Sequence, residues 1–384
     1  MTSRSYKFAF VVSLYFEFGG LQRTMLRLAK ECVRQGHQVD IYTGQWDGEL
    51  PEKIGIHEMD TRAMTNHASN DKLAQKFSQA TKDGKYDCLV GFTKIPGLDI
   101  YYAGDPCYAA RVAETKGKFF KLTPRYLAFY RQEKAVFIPG NGTEFLLIAH
   151  REREKFIQYY HSNPACFHLL PPGINRELLL QGKPGPGEIQ QLRQQLGVAP
   201  DGFLVLFVGS RFRTKGLDRA LRAMAGLPTE LKRKCRLVVV GEDKKRFYQR
   251  LASSLGLGER VAFVGAQTHM SSYYFSANLL LHPPYVESAG AVLLEAMVCG
   301  LPVLTTANCG FAPHIVAADA GMVCSLPFDQ QQLDRCLAEM LVSDKKLQWR
   351  RNGISYCERV DLYGLIDEAV RVVVARAEKN RKLK

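Results

Sequence analysis

Two glutamates separated by seven residues follow a short apolar run in the second half of the sequence. Glu287 and Glu295 lie in the segment ESAGAVLLEA, and the apolar run before it is Leu279–His282. The segment predicts a loop in which Gly290 lets the backbone come close to a ligand, followed by a helix that begins at Ala291. The first backbone amides of that helix can bind a phosphate or a sugar hydroxyl, so Gly290 and Ala291 are predicted to bind the ligand. We expect Glu287 to face a sugar and Glu295 to accept both hydroxyls of a ribose. The alternative is an exposed glutamate and a partly buried one with a local partner.

A basic loop joins another predicted strand to the helix after it. The segment VGSRFRTKG, residues 208–216, carries Arg211, Arg213 and Lys215. An arginine presents a fork of donors and a lysine a compact charge, so the loop suits a pyrophosphate. A solvated loop without a ligand is the alternative.

Paired glycines mark a third junction of this kind near the N-terminus, in the segment FGGLQR. Gly19 and Gly20 would let the backbone approach a phosphate or a sugar closely. The full G-x-G-x-x-G pattern of dinucleotide-binding dehydrogenases is missing, so a plain tight turn is an equal alternative.

Short apolar runs alternate with amphipathic helical patterns along the chain, which predicts parallel sheets covered by helices on both faces. The first series has predicted strands at 8–13, 38–43, 88–92 and 145–149 and a helix at 21–35. The second has predicted strands at 203–208, 236–240, 261–264, 279–282 and 302–305, helices at 216–225, 245–254 and 291–298, a loop at 181–187 and a last helix at about 363–377. The fold class is therefore α/β with two doubly wound, Rossmann-like units, and ligands should bind between them at the carboxyl ends of the strands.

Length, charge and cysteine usage narrow the class of protein. The 384 residues suit two domains, and the net charge of +14 indicates a polyanionic partner: a nucleic acid, an anionic membrane surface or a phosphorylated substrate. The first apolar run is too short for a signal peptide, and no apolar run is long enough to cross a bilayer. Ten cysteines occur without a CxxC pair, as in a cytoplasmic protein with reduced thiols.

The stretch from Cys107 to Ala135, called the basic aromatic stretch below, combines positive charge with aromatic rings. It contains seven Lys or Arg, two Glu and six Phe or Tyr. Such a mixture suits the headgroup region of an anionic membrane and equally a single-stranded nucleic acid, while a partly buried helical hairpin is the third alternative. The residues predicted to form a membrane or acceptor surface are Lys116, Lys118, Phe119, Phe120, Lys121, Arg125 and Tyr126.

In their order along the chain, the three loop motifs resemble those of the retaining GT-B glycosyltransferases of family 4, which share a Glu-x7-Glu arrangement. Longer segments resemble the lipopolysaccharide core heptose glucosyltransferases of Gram-negative bacteria, and the resemblance spans nearly the whole chain. These segments are residues 16–23, 65–67, 91–101, 170–174 and 301–310.

The resemblance implies roles for individual residues. Glu287 would contact the donor sugar and Glu295 the ribose of the nucleotide. Lys215 would bind the diphosphate, and Gly19 and Gly20 would lie beside it.

A further catalytic residue is implied in the same way: Asp105 would lie near the sugar. Two positions depart from the family pattern. Ser210 stands where an arginine usually follows the loop glycine, so Arg211 or Arg213 would have to replace it. Thr24 stands where close relatives often have aspartate, so the sugar or the acceptor can differ from theirs.

The reaction implied by the resemblance is transfer of a hexose, with glucose expected, from a UDP-sugar to a heptose or another sugar of the lipopolysaccharide core. Configuration would be retained without a carboxylate nucleophile, because fixed positive groups stabilise the leaving diphosphate. Since the sequence has no D-x-D pair, no metal or other cofactor is expected. The expected partners are the UDP-sugar, a lipid-linked phosphorylated oligosaccharide and an anionic membrane, with no nucleic acid, on the cytoplasmic face of the inner membrane.

In this interpretation residues 1–172 form the acceptor-binding domain, with a C-terminal helix at about 363–384 packed on it, and residues 173–362 bind the nucleotide-sugar. Rival enzymes on such a fold are a family member with another donor or lipid-linked acceptor, a nucleotide-sugar epimerase and a phosphorylase. A rival of another class is a basic, non-catalytic protein that binds membranes or nucleic acid.

Overall fold

The computed structural model describes residues 4–383 except 18, 175, 177, 179 and 180. The chain folds into two compact units. The first unit comprises Met1–Pro171 and Gly364–Lys384, and the second comprises Pro172–Tyr363. Each junction lies one residue from the boundary expected from the sequence.

A parallel sheet forms the centre of the first unit. Its strands are β1 (Lys7–Val12), β2 (Tyr15–Phe16), β3 (Gln38–Thr43), β4 (Trp46–Asp47), β5 (Ile54–Glu58), β6 (Cys88–Gly91), β7 (Ile100–Ala103), β8 (Glu144–Leu147) and β9 (Phe167–Leu169). Seven of them form one sheet in the order β5-β3-β1-β6-β7-β8-β9, while β2 pairs with β4. Alternate side chains of β1 enter apolar clusters on opposite faces, with Phe8 and Phe10 in one and Ala9 and Val11 in the other. Both faces are therefore covered, as in other parallel sheets.

Five helices accompany these strands before the chain leaves the first unit. They are α1 (Gly20–Arg34), α2 (Asn66–Thr81), α3 (Tyr108–Thr115), α4 (Pro124–Phe137) and α5 (His150–Tyr160). A 3₁₀ helix, Lys118–Leu122, joins α3 to α4.

The second unit repeats this design. Its strands are β10 (Phe203–Val208), β11 (Cys235–Val240), β12 (Val261–Gly265), β13 (Leu279–His282), β14 (Val303–Thr306) and β15 (Gly321–Cys324). They form a parallel sheet in the order β12-β11-β10-β13-β14-β15. Its helices are α6 (Pro186–Gln195), α7 (Phe212–Lys215), α8 (Leu217–Gly226), α9 (Thr229–Lys234), α10 (Arg246–Ser254), α11 (Met270–Ser276), α12 (Ala291–Val298), α13 (Ala312–Ala318), α14 (Gln330–Val342) and α15 (Lys346–Arg359).

The last helix, α16 (Leu365–Leu383), returns to the first unit and packs against α1 and β6. Arg376 ties it to the sheet, with its guanidinium 3.4 Å from Asp99 and 3.2 Å from Glu144. The helix extends beyond the helical pattern at about 363–377 and nearly fills the expected 363–384 segment, because polar residues near its end also find partners, such as Arg381 on Asp87.

Each sheet has one topological switch point, and successive strands are added in opposite directions on its two sides. It lies between β1 and β6 in the first unit and between β10 and β13 in the second. The predicted doubly wound α/β architecture is confirmed, and ligands of such sheets bind at the switch point, beyond the carboxyl ends of the strands.

The predicted loop at 181–187 is wrong at its end, because α6 begins at Pro186. Proline is well tolerated in the first turn of a helix, where its missing N–H would have no partner. Glu188 completes the start of α6 by accepting a hydrogen bond from the Gly185 N–H at 3.1 Å. Among the described residues, no helix is both long and apolar enough to span a membrane.

Candidate active site

Two chemically important loops follow neighbouring strands of the second unit. β10 and β13 run in parallel with Val205 beside Leu279, so their carboxyl ends lie side by side. The loop after β10 passes through α7 to Lys215, and the loop after β13 carries Glu287. The Lys215 ammonium donates a hydrogen bond to Glu287 Oε2, which joins residues 72 positions apart in an ion pair at the switch point.

His282, the last residue of β13, lies fully buried beside this pair. Its Nε2 is 3.4 Å from Glu287 Oε2, and neither ring nitrogen has hydrogen-bond geometry to a partner within the described residues. Burial opposes ionisation of Glu287, but His282 and Lys215 more than offset it and lower the pKa of Glu287 to about 2. Burial also lowers the pKa of His282. At neutral pH the site therefore holds an ionised Glu287 carboxylate beside an uncharged His282 imidazole.

The loop between Glu287 and α12 is fixed by the segment that follows β14. The Gly310 N–H donates to the Glu287 carbonyl at 3.0 Å. Gly290 caps α12 with φ +93°, and a Cβ on it would lie 2.3 Å from Cys309 Sγ. Gly290 was predicted for close approach to a ligand, but the structure gives it an internal reason, since only glycine suits this conformation and this contact.

Glu295 is held from behind by Tyr274. This tyrosine is fully buried in α11 and donates a hydrogen bond from its hydroxyl to Glu295 Oε2 at 2.7 Å. The contact fixes one carboxylate oxygen of Glu295 and so orients the other. Tyr274 was not predicted to contact the ligand. It would affect ribose binding only by orienting Glu295.

Replacing Glu295 with alanine is expected to weaken UDP binding about 10- to 100-fold, because the charge-assisted hydrogen bonds it would give a ribose are worth about 1.5–3 kcal/mol. Tyr274→Phe should weaken binding less, since the carboxylate stays but loses its orientation. Isothermal titration with UDP measures both effects. Tyr356→Phe is the matched control, because it removes another tyrosine hydroxyl of this unit, bonded to His314 at 2.7 Å. Unchanged UDP affinity in Glu295→Ala would exclude the ribose role.

The basic loop presents its two arginines to solvent. Arg211 has φ +58° and is exposed, as is Arg213, while Phe212 between them is buried. The Phe212 N–H donates to Asp243 Oδ2 at 2.7 Å, which fixes the turn. Ser210 has a structural partner, since its Oγ accepts a hydrogen bond from the Glu242 N–H at 3.2 Å.

The paired glycines of the first unit follow β1, at the switch point of that sheet. Gly19 caps α1 with φ −81°, and a Cβ added to Gly20 would meet nothing within 4 Å. Neither glycine has a positive φ, but a Cβ on Gly19 would clash with the Gln22 side chain. The open space at Gly20 is compatible with close approach of a ligand. Phe18, part of the predicted motif, lies outside the described residues.

Asp105 lies in the loop after β7, close to the start of α1. A Cβ on Gly104 would come 2.7 Å from Leu21 Cδ1, so the Asp105 loop and the paired-glycine turn are neighbours within the first unit. The Asp105 side chain is exposed. Thr24, where relatives often have aspartate, donates its hydroxyl to the Gly20 carbonyl at 3.0 Å.

The basic aromatic stretch folds into α3, the 3₁₀ helix and α4, and most of its rings pack against one another. Tyr126 is 8% exposed and stacks on Tyr108 and Tyr130. Its assignment to a membrane surface is therefore wrong, because rings of α3 and of the 3₁₀ helix cover it. Phe120 is half-buried, with Lys116 5.7 Å from its ring centroid.

The outward face of this stretch remains both basic and apolar. Phe119 is 86% exposed and Leu122 74% exposed. Leu127 is also exposed, and neither leucine is among the residues predicted to form the membrane surface. The exposed basic residues around them are Lys116, Lys118, Lys121 and Arg125.

Arg219 supports the Glu287 loop and was also missed. Its guanidinium lies between the rings of Tyr285 and Phe328, 3.6 and 3.7 Å from their centroids, and donates to the Pro284 carbonyl at 2.9 Å. An arginine in a helix gives no sequence signal for such a role, because its partners are far along the chain. His282 did carry a signal: a titratable side chain ends a buried apolar run immediately before the loop of Glu287.

Within the described residues, no group of three or more His, Cys, Asp or Glu side chains is arranged to hold a metal ion. All ten cysteines have free thiols.

A cation–carboxylate pair at the switch point of a doubly wound sheet, followed by a glycine-capped helix, is suited to a phosphorylated sugar. The family "Glycosyl transferases group 1" matches residues 188–355, which lie within the second unit. This match assigns the second unit to the group 1 glycosyltransferases.

Comparison over the whole chain narrows the family. The lipopolysaccharide glucosyltransferase WaaG of Escherichia coli K12 is 39% identical over 95% of this chain and 98% of its own length. The chain therefore belongs to the glycosyltransferase family of WaaG. The crystal structure of WaaG, a glycosyltransferase involved in lipopolysaccharide biosynthesis, superposes with a TM-score of 0.89 over 95% of this chain and 99% of that chain, at 38% identity. The expected GT-B fold is confirmed by this similarity.

A more distant relative shows how widely the family extends. D-inositol 3-phosphate glycosyltransferase 1 of Catenulispora acidiphila is 33% identical over 79% of this chain and 78% of its own length. The acceptor named for that enzyme is a phosphorylated cyclitol, so related chains act on different acceptors.

Proposed function

We propose that this glycosyltransferase moves a hexose, with glucose the expected sugar, from a UDP-sugar to a heptose or another sugar of the lipopolysaccharide core. The observation that carries the proposal is the Lys215–Glu287 ion pair at the switch point of the second unit. The similarity to WaaG, a lipopolysaccharide glucosyltransferase, supports the choice of sugar and acceptor.

The ion pair fits the chemistry of a nucleotide-sugar. In such a donor the sugar C1 and the β-phosphorus share one oxygen, so a group that contacts the sugar and a group that contacts the phosphate can lie close to each other. Glu287 and Lys215 lie close in this way. In the proposed complex Glu287 accepts hydrogen bonds from sugar hydroxyls, and Lys215 shares its charge between Glu287 and the β-phosphate.

Charge develops on the diphosphate as the donor breaks. The acceptor hydroxyl oxygen bonds to C1 on the face that the diphosphate leaves, the C1–O bond to the β-phosphate breaks, and the hydroxyl proton passes to the departing phosphate oxygen. Lys215 and one of Arg211 and Arg213 stabilise the negative charge, helped by the backbone amides at Ala291 and Gly20. Asp105 would then lie near the sugar, as in the family that the chain resembles.

Attachment to a membrane is the second part of the proposal. Phe119 and Leu122 are large exposed apolar side chains among exposed lysines, the combination that inserts shallowly into an anionic headgroup layer. A lipid-linked, phosphorylated oligosaccharide is an acceptor that would be met there. We therefore place the enzyme peripherally on the cytoplasmic face of the inner membrane, without nucleic acid as a partner.

A donor screen tests the central part of the proposal. Among UDP-, GDP- and ADP-hexoses, UDP-glucose should give the largest increase in Tm, because a ligand that binds only the folded state stabilises it by mass action. It should also be hydrolysed slowly without acceptor and transferred when lipopolysaccharide core is added. A preference for another sugar nucleotide would show that the donor is not UDP-glucose. Such a result would agree with the departures from the family pattern at Ser210 and Thr24. Absence of both binding and hydrolysis would favour a non-catalytic membrane-binding protein.

The same assay tests the expectation that no metal is needed. Full transfer activity is expected in EDTA, because Lys215 and the arginines supply the positive charge that a bridging cation would otherwise provide. Loss of activity in EDTA that magnesium or manganese restores would contradict this expectation.

A further inference from the structure

A buried carboxylate in the basic aromatic stretch organises the segment that follows Asp105. Glu133 of α4 has no exposed surface, and its Oε1 accepts hydrogen bonds from Lys94 Nζ at 2.5 Å and from the Tyr108 N–H at 2.8 Å. Its Oε2 accepts a hydrogen bond from the Ala109 N–H at 3.0 Å and another from the Tyr160 hydroxyl. One carboxylate thus joins α4, α5, the first turn of α3 and the loop after β6.

The backbone next to Asp105 is held by this cluster and by one neighbour. Lys94 Nζ also donates to the Pro106 carbonyl at 3.1 Å, and the Cys107 N–H donates to Glu152 Oε2 at 2.8 Å. The peptide groups that follow Asp105 are therefore bound one after another, from Pro106 to Ala109. Asp105 itself remains exposed at the end of this fixed segment.

The cluster is held together by charge. Burial disfavours the charged form of both partners, but their mutual attraction is stronger, so the pKa of Glu133 lies below its ordinary value and that of Lys94 above. The Asp105 carboxylate also contributes to the raised pKa of Lys94. Buried ion pairs often add nothing to stability, and in some proteins such a pair instead fixes a specific geometry.

We propose that Lys94 and Glu133 are positioning residues that hold the Asp105 loop in the geometry needed for transfer. The proposal rests on the role of Asp105 near the sugar given under the proposed function. Neither residue would touch the donor or the acceptor. Their effect would pass through the bound peptide groups between Pro106 and Ala109.

The test replaces the ion pair without leaving a buried charge. The double variant Lys94→Met/Glu133→Gln keeps an amide oxygen for the α3 backbone and removes both charges, so much of the folding stability should be retained. Its kcat for transfer should fall about 10- to 100-fold, because a small misplacement of a reacting group has effects of this size. The KM for UDP-glucose should change less than threefold. A kcat within twofold of the wild-type value would overturn the proposal.

Two further measurements separate positioning from stability. Arg376→Met is the matched control, since it removes a different buried cation of the first unit, paired with Asp99 and Glu144, and should lower Tm without changing kcat. In an Asp105→Ala background, Lys94→Met/Glu133→Gln should cause no further loss of kcat. An equal loss in both backgrounds would show that the pair acts elsewhere, whereas wild-type activity of Asp105→Ala alone would refute the role of Asp105.

If the double variant does not fold, the single variant Tyr160→Phe tests the positioning role instead. It removes one hydrogen bond from Glu133 Oε2 and leaves the ion pair intact. A kcat lowered two- to fivefold at unchanged KM supports the proposal, and an unchanged kcat contradicts it.

Discussion

Substitution of Lys215 by methionine is expected to lower kcat about 100- to 1000-fold. In the proposed transition state its ammonium faces the leaving diphosphate, and removal of one preorganised donor to developing negative charge typically has this effect. It also leaves the partly buried Glu287 without its lysine partner. Glu287→Ala should lower kcat about 10- to 100-fold with a smaller change in the KM for the donor, because losing charge-assisted hydrogen bonds to the sugar costs about 1.5–3 kcal/mol. Steady-state kinetics with UDP-glucose measures both variants.

A surface lysine of the same unit provides the control for these variants. Lys232→Met removes the same charge from α9 and should leave kcat and KM unchanged. The double variant Lys215→Met/Glu287→Ala should be far less impaired than the product of the two single effects, because the residues act as one unit. Wild-type kinetics in Glu287→Ala, or independent effects of the two substitutions, would remove the ion pair from the proposed site.

Among the effects on binding, we expect the largest from removing the four basic residues that would hold the protein on anionic vesicles. Replacing Lys116, Lys118, Lys121 and Arg125 with glutamine should weaken binding to vesicles of phosphatidylglycerol and phosphatidylethanolamine about 1000-fold at low salt. Each lysine or arginine near an anionic surface contributes about 1 kcal/mol, and screening should shrink the difference as salt is raised. Hydrolysis of soluble UDP-glucose should be unchanged. Cosedimentation measures the binding.

A variant that loses four positive charges at another surface of the first unit controls for the change in net charge. Lys72, Lys76, Lys82 and Lys85 lie on α2 and the turn after it, and their replacement by glutamine should leave vesicle binding nearly intact. Phe119→Ser should weaken binding at every salt concentration, because it removes inserted apolar surface rather than charge. Equal binding of the wild type to neutral and anionic vesicles would mean that the stretch is only structural.

Local patterns were enough to predict the elements that carry the candidate site. The strands at 38–43, 203–208 and 279–282 and the helix at 291–298 have the bounds that the sequence predicted. Buried strands of a parallel sheet are short apolar runs, and a glycine before an apolar helical repeat defines a helix start, so both signals are complete within a few residues. The positions of Glu287 and Lys215 between a strand and a helix, and of Glu295 within α12, followed from these runs.

Several short strands were missed. The strands that were not predicted are β2, β4, β5, β7, β9 and β15; β15 is only partly buried, and β7, Ile100–Ala103, is fully buried but only four residues long. Such segments become strands when a neighbour supplies hydrogen bonds, as Thr305 of β14 does opposite Val323. Pairing between distant segments leaves no local signature.

By itself, the sequence determined the fold class, the family resemblance and which loops carry residues suited to chemistry. The hydrophobic period, the glycine positions and the charges can each be identified within a short segment. Only the tertiary structure decided which of these side chains meet. Strand order put β10 beside β13 and so paired Lys215 with Glu287, and helix packing turned Tyr126 and Glu133 inward while Phe119 stayed exposed. The physical reason is that contacts between distant segments depend on how whole elements bury their apolar faces, and no single segment contains that information.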